Sequence, residues 1–257
     1  MLKPEELGKK LTEAGRLKLR PLCVYGTDEI PEGAVPSYTV DRCVAKAVYI
    51  SALFKETPPL YIEAGHEQCC AGGLVWTGFS EPHPKLKYFV TVGTPDFRGG
   101  AAEHLKATPE LFDELIKRAG KILPHGKYTV IAPCTAEIEP DIVRSYIVFA
   151  GAEQIRNLCG LAQFSSSDPF FKTIIPGGPT CATMITFPAG MADNAPKDSA
   201  FVGPVDPTGN SWLPPELMIM GIPSGLAQQM GADLEESFIC KRSKIAYPDK
   251  RTDIKYP

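Results

Sequence analysis

Eight cysteines, Cys23, Cys43, Cys69, Cys70, Cys134, Cys159, Cys181 and Cys240, are the main chemical resource of this chain. Three share a local context. Cys43 lies two residues after Asp41, the expected N-cap of a helix; Cys70 is followed by Ala71-Gly72-Gly73; Cys181 follows Gly177-Gly178-Pro179-Thr180. Each is predicted in the first turn of a helix. Unpaired N–H groups and the positive end of the helix dipole stabilise a thiolate there. Thiolates bind metals and attack electrophiles, and small neighbours let a bulky group approach. If the three helix starts converge, they form a pocket with three sulfur donors. Such a pocket suits an iron–sulfur cluster better than calcium or magnesium.

A 4Fe–4S cluster ordinarily takes four thiolates. The candidate metal ligands are Cys43, Cys69, Cys70 and Cys181, with Cys134 or His66 as other options for the fourth position; an open fourth position would suit catalysis. The cofactor-binding set proper is Cys43, Cys70 and Cys181. The competing reading is that each is a small buried hydrophobe, as expected for Cys23, Cys159 and Cys240. Intervals of 27 and 111 residues between the three carry little information by themselves. A vicinal Cys69–Cys70 disulfide would be strained.

Other residues offer less. A thiol nucleophile at Cys70 needs a base, and His66 is the one histidine near it in sequence. His83, His104 and His125 read as solvated. Arg98-Gly99-Gly100 and Gly177-Gly178 suit an anionic ligand but match no phosphate-loop or dinucleotide pattern, so turns are the default. Ser165-Ser166-Ser167-Asp168 has no neighbouring histidine and no nucleophile elbow. Glu137, Glu139 and Asp141 read as a solvated acidic loop.

The elements that must position these residues follow from periodicity. Helices are predicted over 4–17 (Leu7, Leu11, Ala14 on one face), from Asp41 onward (Cys43, Ala47, Ile50, Phe54 on one stripe), near Cys69, after the Thr108-Pro109 cap, and over 152–164, 180–187 and 225–240. Strands are predicted over 20–25, 60–63, 87–92, 128–132, 143–149 and 217–222. Interleaved strands and helices with irregular connections predict an α/β or α+β single domain, a mixed sheet flanked by helices. No internal repeat is present.

With 257 residues, 44% hydrophobic, the chain is long enough for a well-buried core. A net charge of −3 and no basic block argue against nucleic acid or anionic lipid as partner. No apolar run reaches the length of a membrane span, and the charged, amphipathic first 18 residues do not resemble a signal peptide. The expectation is a cytoplasmic protein with reduced thiols and no disulfide framework. No C-x-x-C pair supports a zinc ribbon or a thioredoxin-like motif.

From about Leu17 to Pro248 the chain resembles the domain-of-unknown-function family 169, found in many anaerobic archaea and bacteria. The resemblance runs through LKLRPLCVYG, DRCVAKAVYI, CCAGGLVWTGF, EPDIVRSYIVFAGAEQIRNL, GPTCATMITF and ELMIMGIPSGLAQQM. It implies a cytoplasmic fold without an assigned reaction, and it selects the same Cys43, Cys70 and Cys181. Many members carry a cysteine in the loop before the last strand; here that loop is FVGPVDPTGNSW and has none, which marks a divergent branch.

The sequence leaves open whether the chain is an enzyme. The leading expectation is a cysteine-ligated iron–sulfur cluster serving electron transfer or reductive chemistry with a redox partner. The alternatives are a metal-free module binding a small molecule or cofactor, and a thiol-dependent enzyme using Cys70. The apolar 212–222 segment reads equally as a subunit contact of a homo-oligomer or as a buried strand.

Overall fold

The computed structural model describes residues 1–204, 206 and 211–241. Helix α1 (Pro4–Gly15) begins with a proline where the N–H would have no helical partner, stacks Leu7, Leu11 and Ala14 on a buried face, and ends at left-handed Arg16. There follow β1 (Leu22–Thr27), β2 (Val35–Pro36), a 3-10 turn over Ser37–Thr39, α2 (Val44–Leu53), β3 (Leu60–Ile62), α3 (Ala71–Trp76), α4 (Leu86–Val90), a 3-10 turn over Arg98–Gly100 and α5 (Pro109–Ala119). The second half comprises β4 (Tyr128–Pro133), β5 (Val143–Gly151), α6 (Ala152–Gln163), β6 (Thr173–Ile174), a π-helical turn over Ala182–Thr186, β7 (Ala200–Gly203), β8 (Leu217–Pro223), α7 (Ser224–Asp233) and α8 (Phe238–Lys241).

The strands form one mixed sheet in the order β2-β3-β4-β1-β5-β8-β7-β6. The two edge pairs, β2–β3 and β6–β7, are parallel, and the pairs between them are antiparallel. Side chains alternate across the sheet with period two. Cys23, Tyr25, Val130, Tyr146, Val148, Met220 and Ile222 pack with α1, α6 and α7 on one face. Leu22, Val24, Ile131, Ile147, Phe149 and Ile219 pack on the other with α2, α3 and the π-helical turn. Both faces are covered, so the architecture is α/β with a helical layer on each side of a mixed sheet. Among the described residues no helix is long and apolar enough to cross a membrane.

Several local expectations are corrected. Residues 87–92 are not a strand: α4 has no fully buried residue and therefore no sheet face to join. Asp41 is not the cap of α2. Its carboxylate accepts the Cys43 N–H at 2.8 Å from two residues upstream, and Cys43 itself is the N-cap. Phe54 does not continue the buried stripe of α2; it is 53% exposed, and the buried residues are Val44, Ala45, Ala47, Val48, Ser51 and Ala52. The final helix is broken after Asp233, where Ser237 turns its hydroxyl onto the Leu234 carbonyl at 2.7 Å. Cys240 is exposed and Cys159 is half-buried. The Thr108 cap holds, its hydroxyl accepting from Leu111 N–H at 3.3 Å. The apolar 217–222 segment lies in β8, an interior strand between β5 and β7, which accounts for its composition.

The C-terminal end of α2 is fixed by one side chain. The Arg20 guanidinium donates to the carbonyls of Ser51 (2.7 Å), Lys55 (2.8 Å), Phe54 (3.1 Å) and Thr57 (2.9 Å). Ser51 lies in the last turn of α2, Phe54 is its C-cap, and Lys55 and Thr57 lie in the turn that follows, so one cation ties the negative pole of the helix to the chain leaving it. Arg20→Met is expected to cost about 2 kcal/mol in urea unfolding, and Arg20→Lys to recover only part, because an ammonium lacks the planar fork.

Candidate thiol site

The three cysteines singled out by sequence are brought together by two close approaches of backbone. At the first, Cys70 N–H donates to the Arg42 carbonyl at 2.7 Å, which joins the start of α3 to the start of α2. Gly73 makes this possible: a Cβ there would lie 2.5 Å from Val44 Cγ2 and 3.0 Å from Cys70 Sγ. At the second, Gly221 in β8 lets the π-helical turn settle on the sheet, since its Cβ would lie 2.6 Å from both the Thr183 carbonyl oxygen and Pro188 Cγ. Thr186 then donates its hydroxyl to the Trp76 carbonyl, and the Trp76 and Phe187 rings meet edge to face at 5.8 Å. Cys181, immediately before this turn, is thereby held beside the first turn of α2. π-Helical turns are rare and occur often at functional sites.

Neither N-cap cysteine makes a regular capping hydrogen bond. The first-turn amides of α2 act instead on three different sulfurs: Val44 on Cys70, Ala45 on Cys181 and Lys46 on Cys43. The Cys43 thiol lies against the Cys70 sulfur. That contact, reinforced by the Val44 and Gly73 amides against the opposing effect of burial, pulls the Cys70 pKa down to about 6. The same contact pushes Cys43 up, with burial adding to it. Burial, together with the Cys70 charge, raises Cys181 as well. The trio thus holds one negative charge, on Cys70, with Cys43 and Cys181 protonated around it. This follows from like charges at close range: only one of several adjacent thiols ionises easily.

All three cysteines line a cavity of about 360 Å³. One wall is apolar, formed by Trp76, Phe89, Leu105, Phe112 and Leu115. Arg98, Lys106, Glu103 and Asp206 supply charge, and Gly177, Gly178 and Pro179 supply backbone. The Arg98 guanidinium lies 4.2 Å from the Phe89 ring centre. Much of the outer wall comes from residues 81–120, a stretch in which only Thr91 is fully buried. Such a layer opens at low free energy compared with the core beneath it.

The other candidates lie elsewhere. Cys69 is not part of the cavity; its sulfur contacts the Ser37 hydroxyl at 3.4 Å. His66 is buried, bonded to Glu63 at 3.0 Å and packed edge-on against Tyr38, so it does not serve Cys70 as a base. Cys134 packs with Cys23 on the α1 side of the sheet, across from the cavity. His125, expected to be solvated, is half-buried and bonded to the Ala189 carbonyl at 2.7 Å. Arg98 and Gly177-Gly178 do face the cavity, which the turn reading of those glycines missed. Lys106, Phe89 and Leu115 were not singled out by sequence, since no local pattern marks a residue that reaches a cavity from a covering segment. Among the described residues, no group of three or more His, Cys, Asp or Glu side chains is spaced to hold a single metal ion.

Gly73→Ala tests the α2–α3 approach. Overpacking against Val44 is expected to cost about 1–3 kcal/mol in urea unfolding. It should also move the Cys70 sulfur off its amides and slow its alkylation at pH 7.

No curated protein and no solved structure matches the chain. The model of one family, described as "Uncharacterised ArCR", matches residues 10–233. That span holds both helix starts of the first half, the Cys181 turn and the sheet beneath them, so the chain belongs to the domain-of-unknown-function family 169.

Proposed function

We propose that this protein binds a small organic molecule in the three-cysteine cavity and acts on it through the Cys70 thiolate. The observation that carries this reading is the pairing of Cys43 and Cys70 over the first turn of α2, inside a cavity with a largely apolar wall. A thiolate formed near pH 6 is ionised at neutral pH without a histidine base. When Cys70 attacks an electrophilic carbon, its sulfur lone pair forms the new bond and the leaving group departs with the old bonding pair. The Cys43 thiol, released from its contact with Cys70, is the proton donor beside that leaving group. All eight cysteines are unpaired, which suits a reducing compartment, and we place the protein in the cytoplasm on that ground.

A second reading, a redox protein carrying an iron–sulfur cluster on Cys43, Cys70 and Cys181, is favoured by a separate observation. Each of the three sulfurs faces its own backbone amide, and N–H contacts to sulfur tune cluster potentials. The donor chemistry fits a cluster better than a single ion, because each iron of a cluster takes its own cysteine whereas a lone ion needs its ligands gathered around one point. Asp206, on the same cavity, is an acidic group beside Cys181. A redox partner would supply the electrons. A bound cluster would supply one-electron transfer at this position.

Two measurements separate the readings. Iodoacetamide alkylation, followed by mass spectrometry across pH 5–9 on metal-free protein, is expected to modify Cys70 first, with a rate midpoint near 6. Cys43→Ala removes the donor and should move that midpoint upward by about 1–2 units. A midpoint at the ordinary thiol value in the unaltered protein would refute the thiolate reading. Iron and acid-labile sulfide in anaerobically prepared protein, lost on Cys181→Ser, would establish the cluster instead.

A further inference from the structure

A second, larger cavity of about 610 Å³ adjoins the cysteine cavity. The two share three lining residues: Lys106, Leu115 and Gly177. Lys106 stands at the junction, its ammonium within 3.6 Å of the position a Gly177 Cβ would take. Among the described residues this ammonium has no ion-pair partner, and the Arg118 guanidinium, also on the larger cavity, has none. The one carboxylate there, Glu114, is taken by Lys117 at 3.5 Å. The interior of the larger cavity is apolar, with Leu115, Ile174, Phe187 and Phe201 on its walls. Leu111, lining the same cavity, is 52% exposed.

We infer that the two cavities form one elongated site for an amphipathic organic acid. Its anionic group binds Lys106 at the junction, its apolar chain occupies the larger cavity, and its reactive end lies beside Cys70. The chemistry follows from the order of the surfaces. An unpaired ammonium at the junction of a largely apolar chamber and a thiolate chamber rewards a ligand whose charge sits part-way along its length. An apolar chain in the outer chamber gains burial in proportion to the area it removes from water. Lys106 does the same electrostatic work for either a carboxylate or a phosphate ester. The inference deepens the thiolate reading and takes its reactive end from it; the binding of acid and chain stands on Lys106 and the larger cavity alone.

The test is calorimetric titration of the full chain and of Cys70→Ser with octanoate, 1-octanol and acetate. Octanoate is expected to bind both proteins. Octanol should bind about tenfold more weakly for lack of the charge-assisted contact, and acetate should not bind detectably for lack of a chain. Lys106→Met should reduce octanoate to the level of octanol, and Lys106→Arg should restore most of the difference. Leu115→Trp, which fills the junction, should abolish octanoate binding. Equal affinity for octanoate and octanol, or octanoate binding untouched by Lys106→Met, would overturn the inference, as would absence of octanoate binding. Octyl phosphate in parallel distinguishes the two anion types: tighter binding than octanoate assigns phosphate esters, weaker binding assigns carboxylates. Slow alkylation of Cys70 would sink the thiolate reading while leaving a positive titration intact.

Discussion

The site depends on the first turn of α2. A helix start presents amides with no helical partner, and here three consecutive ones, from Val44, Ala45 and Lys46, act on three sulfurs that the chain delivers from separate places. One sulfur is local, as the N-cap. The second arrives with α3, the third with the π-helical turn. The positive pole of α2 therefore sets where negative charge is tolerable, and the mutual repulsion of thiolates decides that only one sulfur carries it. Cys70 is that sulfur because the Cys43 thiol beside it and the amides of Val44, Gly73 and Cys70 itself all favour its charge.

The same helix explains why the arrangement holds still. Its opposite pole is gripped by Arg20 through four carbonyls, and its flanks are buried between the sheet and the outer wall of the cavity. Gly73 and Gly221 matter as places where backbone or a neighbouring side chain must come closer than any Cβ allows. A helix pinned at one end and packed along its length makes its other end a rigid donor array, whereas the covering stretch over residues 81–120 is anchored by one buried residue. The face that carries the thiols is thus stiff and the stretch that covers it loose.

Much of this was legible in the sequence. Interleaved strands and helices predicted the α/β sheet, and the three cysteines were selected by their small neighbours and by the resemblance to the family. What misled was local. Asp41 looked like a cap because a carboxylate just before an apolar run usually is one; the real cap is Cys43, and Asp41, two residues upstream, holds the Cys43 amide. Residues 87–92 alternate like a strand, but alternation has meaning only where a sheet face exists, and α4 lies outside the core. The two-residue strands β2 and β6 are too short to carry a pattern at all. Lys106 was invisible because its role comes from where a covering loop lands, which is a tertiary fact.

A second pair of cysteines shows that environment, not pairing alone, favours a thiolate. Cys23 and Cys134 meet on the opposite face of the sheet, where the Cys134 thiol faces Cys23 and, at 3.6 Å, the Pro21 carbonyl. Two adjacent thiols are common to both places. On that side, however, the contact with Cys23 and burial both raise Cys134, and Arg20 opposes them only as the smallest influence. Among the described residues no backbone amide acts on Cys134, and neither cysteine lines either of the two cavities described above. Cys134 therefore stays a neutral thiol, and the pair fills the core as any small apolar groups would. What separates Cys43–Cys70 from Cys23–Cys134 is the set of backbone amides that act on the sulfurs and the cavity beside them, and both are supplied by the fold around α2.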